Sequence, residues 1–436
     1  MNLFALNSPS ITGEVLCPGD KSISQRAVII GSLINQDMTI EGFLNGEDPI
    51  STINALNAIG SAIEINNTSV TIKQRETAFS SPKDDVDLGN SGTGMRLMMG
   101  LISSLGINVR LVGDKSLSKR PMLRVSEPLN SMGANILCRD GMPPVQITKG
   151  NIKNNFSYDM PIASAQVKSS IILAALAANE SVTVKEKYQT RNHTEKMIDY
   201  FGGSIKSEII DQENVIYLSP SKLDITKSYK VVGDFSSAAF LMVAGLIAKE
   251  SNIIIKNVGV NPTRSGLIDI LKSMGGEISI RNQEIICNEE VADIHVQSSA
   301  LKGINIKGSI IPNIIDEIPV LSIAAAFADG QTTISEASEL RVKESDRLSA
   351  ISYGLNSIGK SHELFEDGIK INGSKDDISG IPEIDSFGDH RIAMSFLVAS
   401  LRSSEGIHVR DCANIFTSFP GFIDVMQSLG VSINET

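Results

Sequence analysis

One order of elements recurs six times along the 436 residues, and any fold for this chain has to accommodate it. Each copy opens with a helix of small residues, near Ser22, Ser91, Ser164, Ser236, Asp316 and Asp389, the last two set beside IPNII and FGDH. A β-branched strand follows: MTIEGF from Met38, INVRLVGD from Ile107, SVTVKEKY from Ser181, SNIIIKNVGV from Ser251, QTTISEAS from Gln331 and EGIHVRDC from Glu405. A second helix then ends on an apolar residue followed by glycine, at Gly60, Gly133, Gly202, Gly275, Gly359 and Gly430, where the left-handed backbone of a C-cap is expected. A strand such as SAIEI or GEISI closes the copy.

Copies of roughly 65 to 80 residues that mix helices and strands are too large for a thin solenoid and too alike for unrelated domains. The length exceeds one core of usual size, so the simplest grouping is an α/β protein of two domains with three copies each. The first sixteen residues precede the first helix, and the last copy runs out just after its second helix. The crossings therefore fall near Gly19 and Val232, which gives a first lobe of 20–232. The second is 1–19 plus 233–436, completed by the N-terminal strand. Two short crossovers predict a cleft and a hinge.

Composition narrows the function. With 42% hydrophobic residues and 35 glycines the chain reads as soluble and globular. A net charge of −11 argues against nucleic acid or an anionic membrane as partner, so any anion site is local. Cys17, Cys138, Cys287 and Cys412 stand alone, without CxxC or metal-spaced histidines. They predict buried thiols in a reducing compartment and no metal. The N-terminus lacks a basic n-region and a full apolar h-region, and the apolar runs, such as Ala238 to Ala248, are too short to span a bilayer; a cytoplasmic location is expected.

A local anion site is written into GDKSISQRAVIIGSL, Gly19 to Leu33. Lys21, Ser22 and Arg26 stand on the opening turns of a helix, where unpaired N–H groups and a partial positive charge favour a phosphate or carboxylate. Taken alone this is also a capped helix with a solvated face. Its repetition along the chain favours a site.

Seven motifs now carry a resemblance: GDKSISQRA, LGNSGTGMRL, GDKSLSKRPM, PIASAQVKS, TRNHTEKM, RVKESDRL and FGDHRIAMSF. In this order, over nearly the whole length, the chain resembles the 3-phosphoshikimate 1-carboxyvinyltransferase family of enolpyruvyl transferases. The resemblance implies a two-lobed enolpyruvyl transferase fold, each lobe three βαβαββ units in an inside-out α/β barrel, closing on substrate. It implies transfer of the enolpyruvyl group of phosphoenolpyruvate to the 5-hydroxyl of shikimate 3-phosphate through a tetrahedral intermediate, with no cofactor and as a monomer. Both substrates are doubly anionic, and charge-assisted hydrogen bonds from arginine and lysine suit them.

By motif, Lys21, Ser22, Arg26, Ser164, Ala165, Gln166, Arg191, Asp316 and Lys343 are expected to hold shikimate 3-phosphate. Lys21, Gly92, Arg120, Gln166, Arg347 and Arg391 are expected to hold phosphoenolpyruvate. Asp316, Glu344 and Lys21 are the implied proton-transfer groups. The alternatives are an N-cap at Asp316 and a helix-face partner of Arg347 at Glu344. His390 is expected to support Arg391 or Glu344. Ala165 stands where many members have serine, and Thr417 where some carry lysine. Gly92 leaves room in a pocket that the inhibitor glyphosate shares with phosphoenolpyruvate, and Leu97 stands where sensitive members have proline. A sister transferase acting on UDP-N-acetylglucosamine typically carries cysteine or aspartate ahead of its arginine; GDKSLSKRPM has no cysteine, and its one acid, Asp114, lies in a motif of the shikimate enzyme. A non-catalytic repeat scaffold is the remaining alternative.

Overall fold

The computed structural model describes residues 1–8, 10–224 and 228–436. Its six four-stranded sheets share one plan. In the third copy Phe156–Met160 pairs parallel with Val182–Glu186, which pairs antiparallel with Glu213–Leu218, which in turn pairs antiparallel with Ile205–Ile210. The parallel pair is bridged by the leading helix, and the antiparallel pair at the edge is a hairpin. That is one βαβαββ unit, and the strands expected from the β-branched runs all fall within it or its counterparts.

Two leading strands are exchanged. Ser10–Leu16 precedes the first leading helix in sequence but pairs parallel with Glu250–Gly259 of the fourth copy. Tyr229–Lys230 precedes the fourth leading helix but pairs parallel with Met38–Glu41 of the first. Leu3–Ala5 is inserted between Ile407–Arg410 and Ile433–Glu435 and completes the sixth sheet. By contact the chain forms two compact units: Met1–Pro18 with Gly233–Glu284 and Glu290–Thr436, and Gly19–Val232 with Ile285–Glu289. Gly19 and the tip 285–289 thus group with 20–232, unlike the expected boundaries. The causes are local: a Cβ on Gly19 would stand 2.0 Å from Gly42 O. At the tip, Cys287 Sγ accepts from Lys230 N (3.3 Å) and Glu289 pairs with His193 (2.8 Å).

The leading helices sit inside and the sheets outside. Phe235–Ile247, Ile318–Ala326 and His390–Ala399 pack on one another and are buried along their whole lengths. A helix that is apolar all round has to be surrounded. In the other unit Lys21–Ile34 packs on Gly92–Ile102, which packs on Ala165–Ala178. Strands such as Met142–Thr148 alternate buried and half-exposed residues, as sheets with one covered face do. Five leading helices are capped by their own motif residues: Asp20 accepts from Ile23 N, Ser91 from Gly94 N, Ser164 from Val167 N, Asp234 from Ser236 N and Asp389 from Arg391 N. The six C-cap glycines all have positive φ, from 70° to 108°. All four cysteines are free; Cys17 and Cys412 are buried as expected, whereas Cys138 and Cys287 lie on strand and hairpin surfaces and are only half-buried. Among the described residues no single helix is long and apolar enough to cross a membrane.

The closest approach of a helix glycine to the backbone of another helix is at Gly100, where an added Cβ would stand 2.2 Å from Ser170 O. On an exposed helix Gly→Ala gains about 1 kcal/mol of helix propensity. Here the neighbour is backbone and cannot step aside, so overpacking of about 1–3 kcal/mol wins. Gly100→Ala should lower the midpoint of chemical denaturation accordingly; an unchanged or raised midpoint would contradict this approach of the two helices.

Candidate active site

In the unit containing Gly19–Val232, the helix starts gather cations with unequal partners. Lys21 is the first residue of its helix, and its Nζ lies 3.1 Å from Asp48 Oδ2. Gln25 Nε2 ties the same corner together, donating to Asp48 O (3.2 Å), Thr52 Oγ1 (3.0 Å) and Ser91 Oγ (2.5 Å). Arg26 is buried, yet it donates to neutral oxygens: Nε to Thr194 Oγ1 (2.8 Å), Nη1 to Ser22 O (3.0 Å) and Nη2 to Ser169 Oγ (3.1 Å). Burial pulls its pKa down to about 10, and the nearby charge of Arg191 pulls the same way against Glu195 and Asp20. It remains a cation at neutral pH, bonded directly to neutral groups.

Ser164 caps the Ala165–Ala178 helix, and Ala165 and Gln166 form the first turn behind it. Gln166 is clamped: Arg96 Nη1 donates to its Oε1 (2.6 Å), and its Nε2 donates to Thr93 Oγ1 (2.8 Å). Arg120 reaches back to the loop before the Gly92–Ile102 helix, donating to Asn90 O (3.3 Å), Asn90 Oδ1 and Ser116 Oγ (3.2 Å). Gly92 lies under that guanidinium, and a Cβ there would stand 2.9 Å from Arg120 Nη1. Behind these groups Lys168 is fully buried between Glu186 (3.0 Å) and Glu195 (2.8 Å). Burial acts to lower its pKa, but the two carboxylates outweigh it and the pKa is raised.

In the unit containing Gly233–Glu284 and Glu290–Thr436, carboxylates and cations interleave. Arg347 is the hub. Its Nε and Nη2 grip Asp389 (2.8 and 3.3 Å), Nη2 also meets Glu344 Oε2 (2.6 Å), and Nη1 meets Asp316 Oδ1 (3.3 Å). Burial works against this guanidinium's charge, but Asp389, Glu344 and Asp316 more than offset it and hold its pKa above the ordinary value. Lys343 Nζ shares Asp316 Oδ1 at 3.3 Å. Arg391 Nη1 donates to Asp316 O (2.9 Å) and lies 3.6 Å from Glu317 Oε1.

In the first unit Arg26 bonds Ser22 and Gln166 is held by Arg96 and Thr93; in the second Asp316, Lys343, Glu344 and Arg347 are in contact, and Arg391 reaches the Asp316 carbonyl. The N-cap alternative for Asp316 fails, because Glu317 occupies the cap position and makes no side-chain cap bond. Glu344 does pair with Arg347, but from the segment before the helix rather than along its face. His390 is buried at the first position of its helix. Thr417 is buried and donates to Asn414 O (2.7 Å), inside its own turn. Sequence reasoning missed Asp48, Arg96, Lys168, Glu195, Arg264, Glu317 and the gripping role of Asp389. A charged residue beside a motif, or a basic residue inside an apolar helix such as Lys168, was the available signal.

The sequence model of EPSP synthase (3-phosphoshikimate 1-carboxyvinyltransferase) matches residues 7–426. The chain is 44% identical over 442 residues to 3-phosphoshikimate 1-carboxyvinyltransferase of Legionella pneumophila (strain Corby), across 100% of this chain and 99% of that one. The solved EPSP synthase from Acinetobacter baumannii superposes with a TM-score of 0.85 at 40% identity, covering 100% of both chains. The enolpyruvyl transferase NikO from Streptomyces tendae shares the fold at 17% identity, with a TM-score of 0.78 over 99% of this chain and 98% of that one. Matched over residues 7–426 by the family model and across 100% of its length by a relative at 44% identity, the chain belongs to the EPSP synthase (3-phosphoshikimate 1-carboxyvinyltransferase) family.

Proposed function

We propose that the chain transfers the 1-carboxyvinyl group of phosphoenolpyruvate to the 5-hydroxyl of shikimate 3-phosphate and releases phosphate, a step of the shikimate pathway to the aromatic amino acids. The observation that carries this reading is the placement of two carboxylates, Asp316 and Glu344, on the guanidinium of Arg347 beside Lys343. Proton donors and acceptors for the reaction thereby stand among cations suited to its anionic substrates.

In the proposed sequence the 5-hydroxyl loses its proton and its oxygen bonds to C2 of phosphoenolpyruvate, while the methylene carbon gains a proton. The tetrahedral adduct then returns a methyl proton and expels phosphate, restoring the double bond. Asp316 is assigned to the hydroxyl proton and Glu344 to the methylene carbon; Lys21 serves the attacking or leaving oxygen. Positioned acid–base groups typically contribute about 10²–10⁴ in rate. Lys21, Ser22, Arg26, Ser164, Gln166, Arg191 and Lys343 are assigned to shikimate 3-phosphate, with the backbone N–H of Ala165 in place of a second hydroxyl. Lys21, Gly92, Arg120, Gln166, Arg347 and Arg391 are assigned to phosphoenolpyruvate. Arg26 suits its role because its hydrogen-bond partners Thr194, Ser22 and Ser169 are neutral. Arg347 does not start that way: an anion that uses it has to displace Glu344, the more exposed of its carboxylates. The protein is assigned to the cytoplasm as a monomer on small-molecule substrates; its net charge of −11 supports the exclusion of nucleic acid as a partner.

Two outcomes test this. Phosphate should appear only when shikimate 3-phosphate and phosphoenolpyruvate are both supplied, without added metal; release with UDP-N-acetylglucosamine in place of shikimate 3-phosphate would overturn the assignment. Glu344→Gln and Asp316→Asn should each reduce turnover by about 10² or more with shikimate 3-phosphate affinity nearly unchanged. Near-normal turnover in either variant would remove that residue from proton transfer.

A further inference from the structure

Glu317 has no role in the reaction proposed above, yet it stands at the meeting point of three leading helices. It occupies the cap position of Ile318–Ala326 and is 1% exposed. Its Oε1 accepts from Ser236 Oγ, in the first turn of Phe235–Ile247, and lies 3.2 Å from Arg264 Nη1 and 3.6 Å from Arg391 Nη1, in the first turn of His390–Ala399. Arg264 is itself buried, with Nη2 2.5 Å from Ser236 Oγ and 3.5 Å from Asp234 Oδ1. Two guanidiniums thus converge on one carboxylate oxygen in a water-poor corner.

Like charges this close repel strongly where the surroundings screen poorly. A single anion between them turns repulsion into a bridge. The neighbouring carboxylates do not take its place between the two: Asp389 is gripped by Arg347, Asp316 offers Arg391 its backbone oxygen while its carboxylate faces Lys343 and Arg347, and Asp234 meets Arg264 at 3.5 Å, farther than Glu317 does. Arg391 is therefore held by one neutral carbonyl and by the charge of Glu317.

We propose that Glu317 is a positioning residue for phosphoenolpyruvate: its buried carboxylate bridges Arg264 and Arg391 and fixes where Arg391 presents its guanidinium. This rests on the assignment of Arg391 to phosphoenolpyruvate. Loss of the negative charge drives Arg391 away from Arg264, so the substrate that uses Arg391 suffers while the one that does not is spared. A role confined to folding would affect both substrates alike or neither.

Steady-state kinetics with each substrate varied in turn decide this, with thermal denaturation of every variant alongside. Glu317→Gln should raise KM for phosphoenolpyruvate about tenfold or more and leave KM for shikimate 3-phosphate within about twofold. Adding Arg264→Gln removes the repulsion and should bring KM for phosphoenolpyruvate back to within about threefold of wild type, a coupling that a double-mutant cycle isolates. If Glu317→Gln does not fold, Glu317→Asp, which keeps the charge but withdraws it by one methylene, should still raise that KM severalfold. An unchanged phosphoenolpyruvate KM in the variant that folds, an equal rise for both substrates, or no recovery in the double variant overturns the proposal. Wild-type enzyme assayed in parallel separates the two levels. No turnover there removes the reaction and this role together, whereas turnover with an unaffected variant removes only the role of Glu317.

Discussion

Burial of the leading helices on every side is the constraint from which the rest of this structure follows. Phe235–Ile247, Ile318–Ala326 and His390–Ala399 offer no polar flank to water, so the polar business of each helix is confined to its ends. There the first-turn N–H groups need partners and carry a partial positive charge. Asp20, Ser91, Ser164, Asp234 and Asp389 supply the caps, and the cations follow within a few residues. Packing thus concentrates groups suited to anions at helix starts without any requirement for a basic chain, and the net charge here is −11.

The two units use their cations differently. Arg26 is buried among hydroxyls and a carbonyl, which orient it without neutralising it. Arg347 is enclosed by Asp389, Glu344 and Asp316. Buried ion pairs give little net stability, because desolvation offsets their attraction. The bidentate grip of Asp389 is better understood as fixing the geometry of Arg347, with Glu344 and Asp316 on its more exposed side. The Lys168 triad with Glu186 and Glu195 and the bridge of Glu317 between Arg264 and Arg391 are further examples of charge held in place from behind.

Much of this was legible in the sequence, for physical reasons. Strand propensity, the C-cap glycines and the repeated helix starts are local signals, so the six copies and their elements could be read directly. The exchange of Ser10–Leu16 and Tyr229–Lys230 between copies was not legible. Each strand sits in sequence beside the helix of one copy and pairs with the sheet of another, and no local propensity encodes that choice. At the candidate site, Lys21, Arg26, Arg347 and Arg391 could be named because these cations lie within the motifs. Glu317, Arg264 and Asp48 could not, because their importance lies in pairing with residues 27 to 81 positions away. The N-cap alternative at Asp316 failed by one residue, the usual error of placing a helix start from sequence.

The most direct test of the claim that capped helix starts are the anion sites is a crystal structure of the chain with shikimate 3-phosphate bound. The account predicts the 3-phosphate at the start of Ala165–Ala178, accepting from Ser164 Oγ and from the backbone N–H of Ala165, with Arg26 and Arg191 retained in contact with the ligand. A phosphate bound away from that helix start, or held by side chains alone with the Ala165 N–H turned elsewhere, would contradict it.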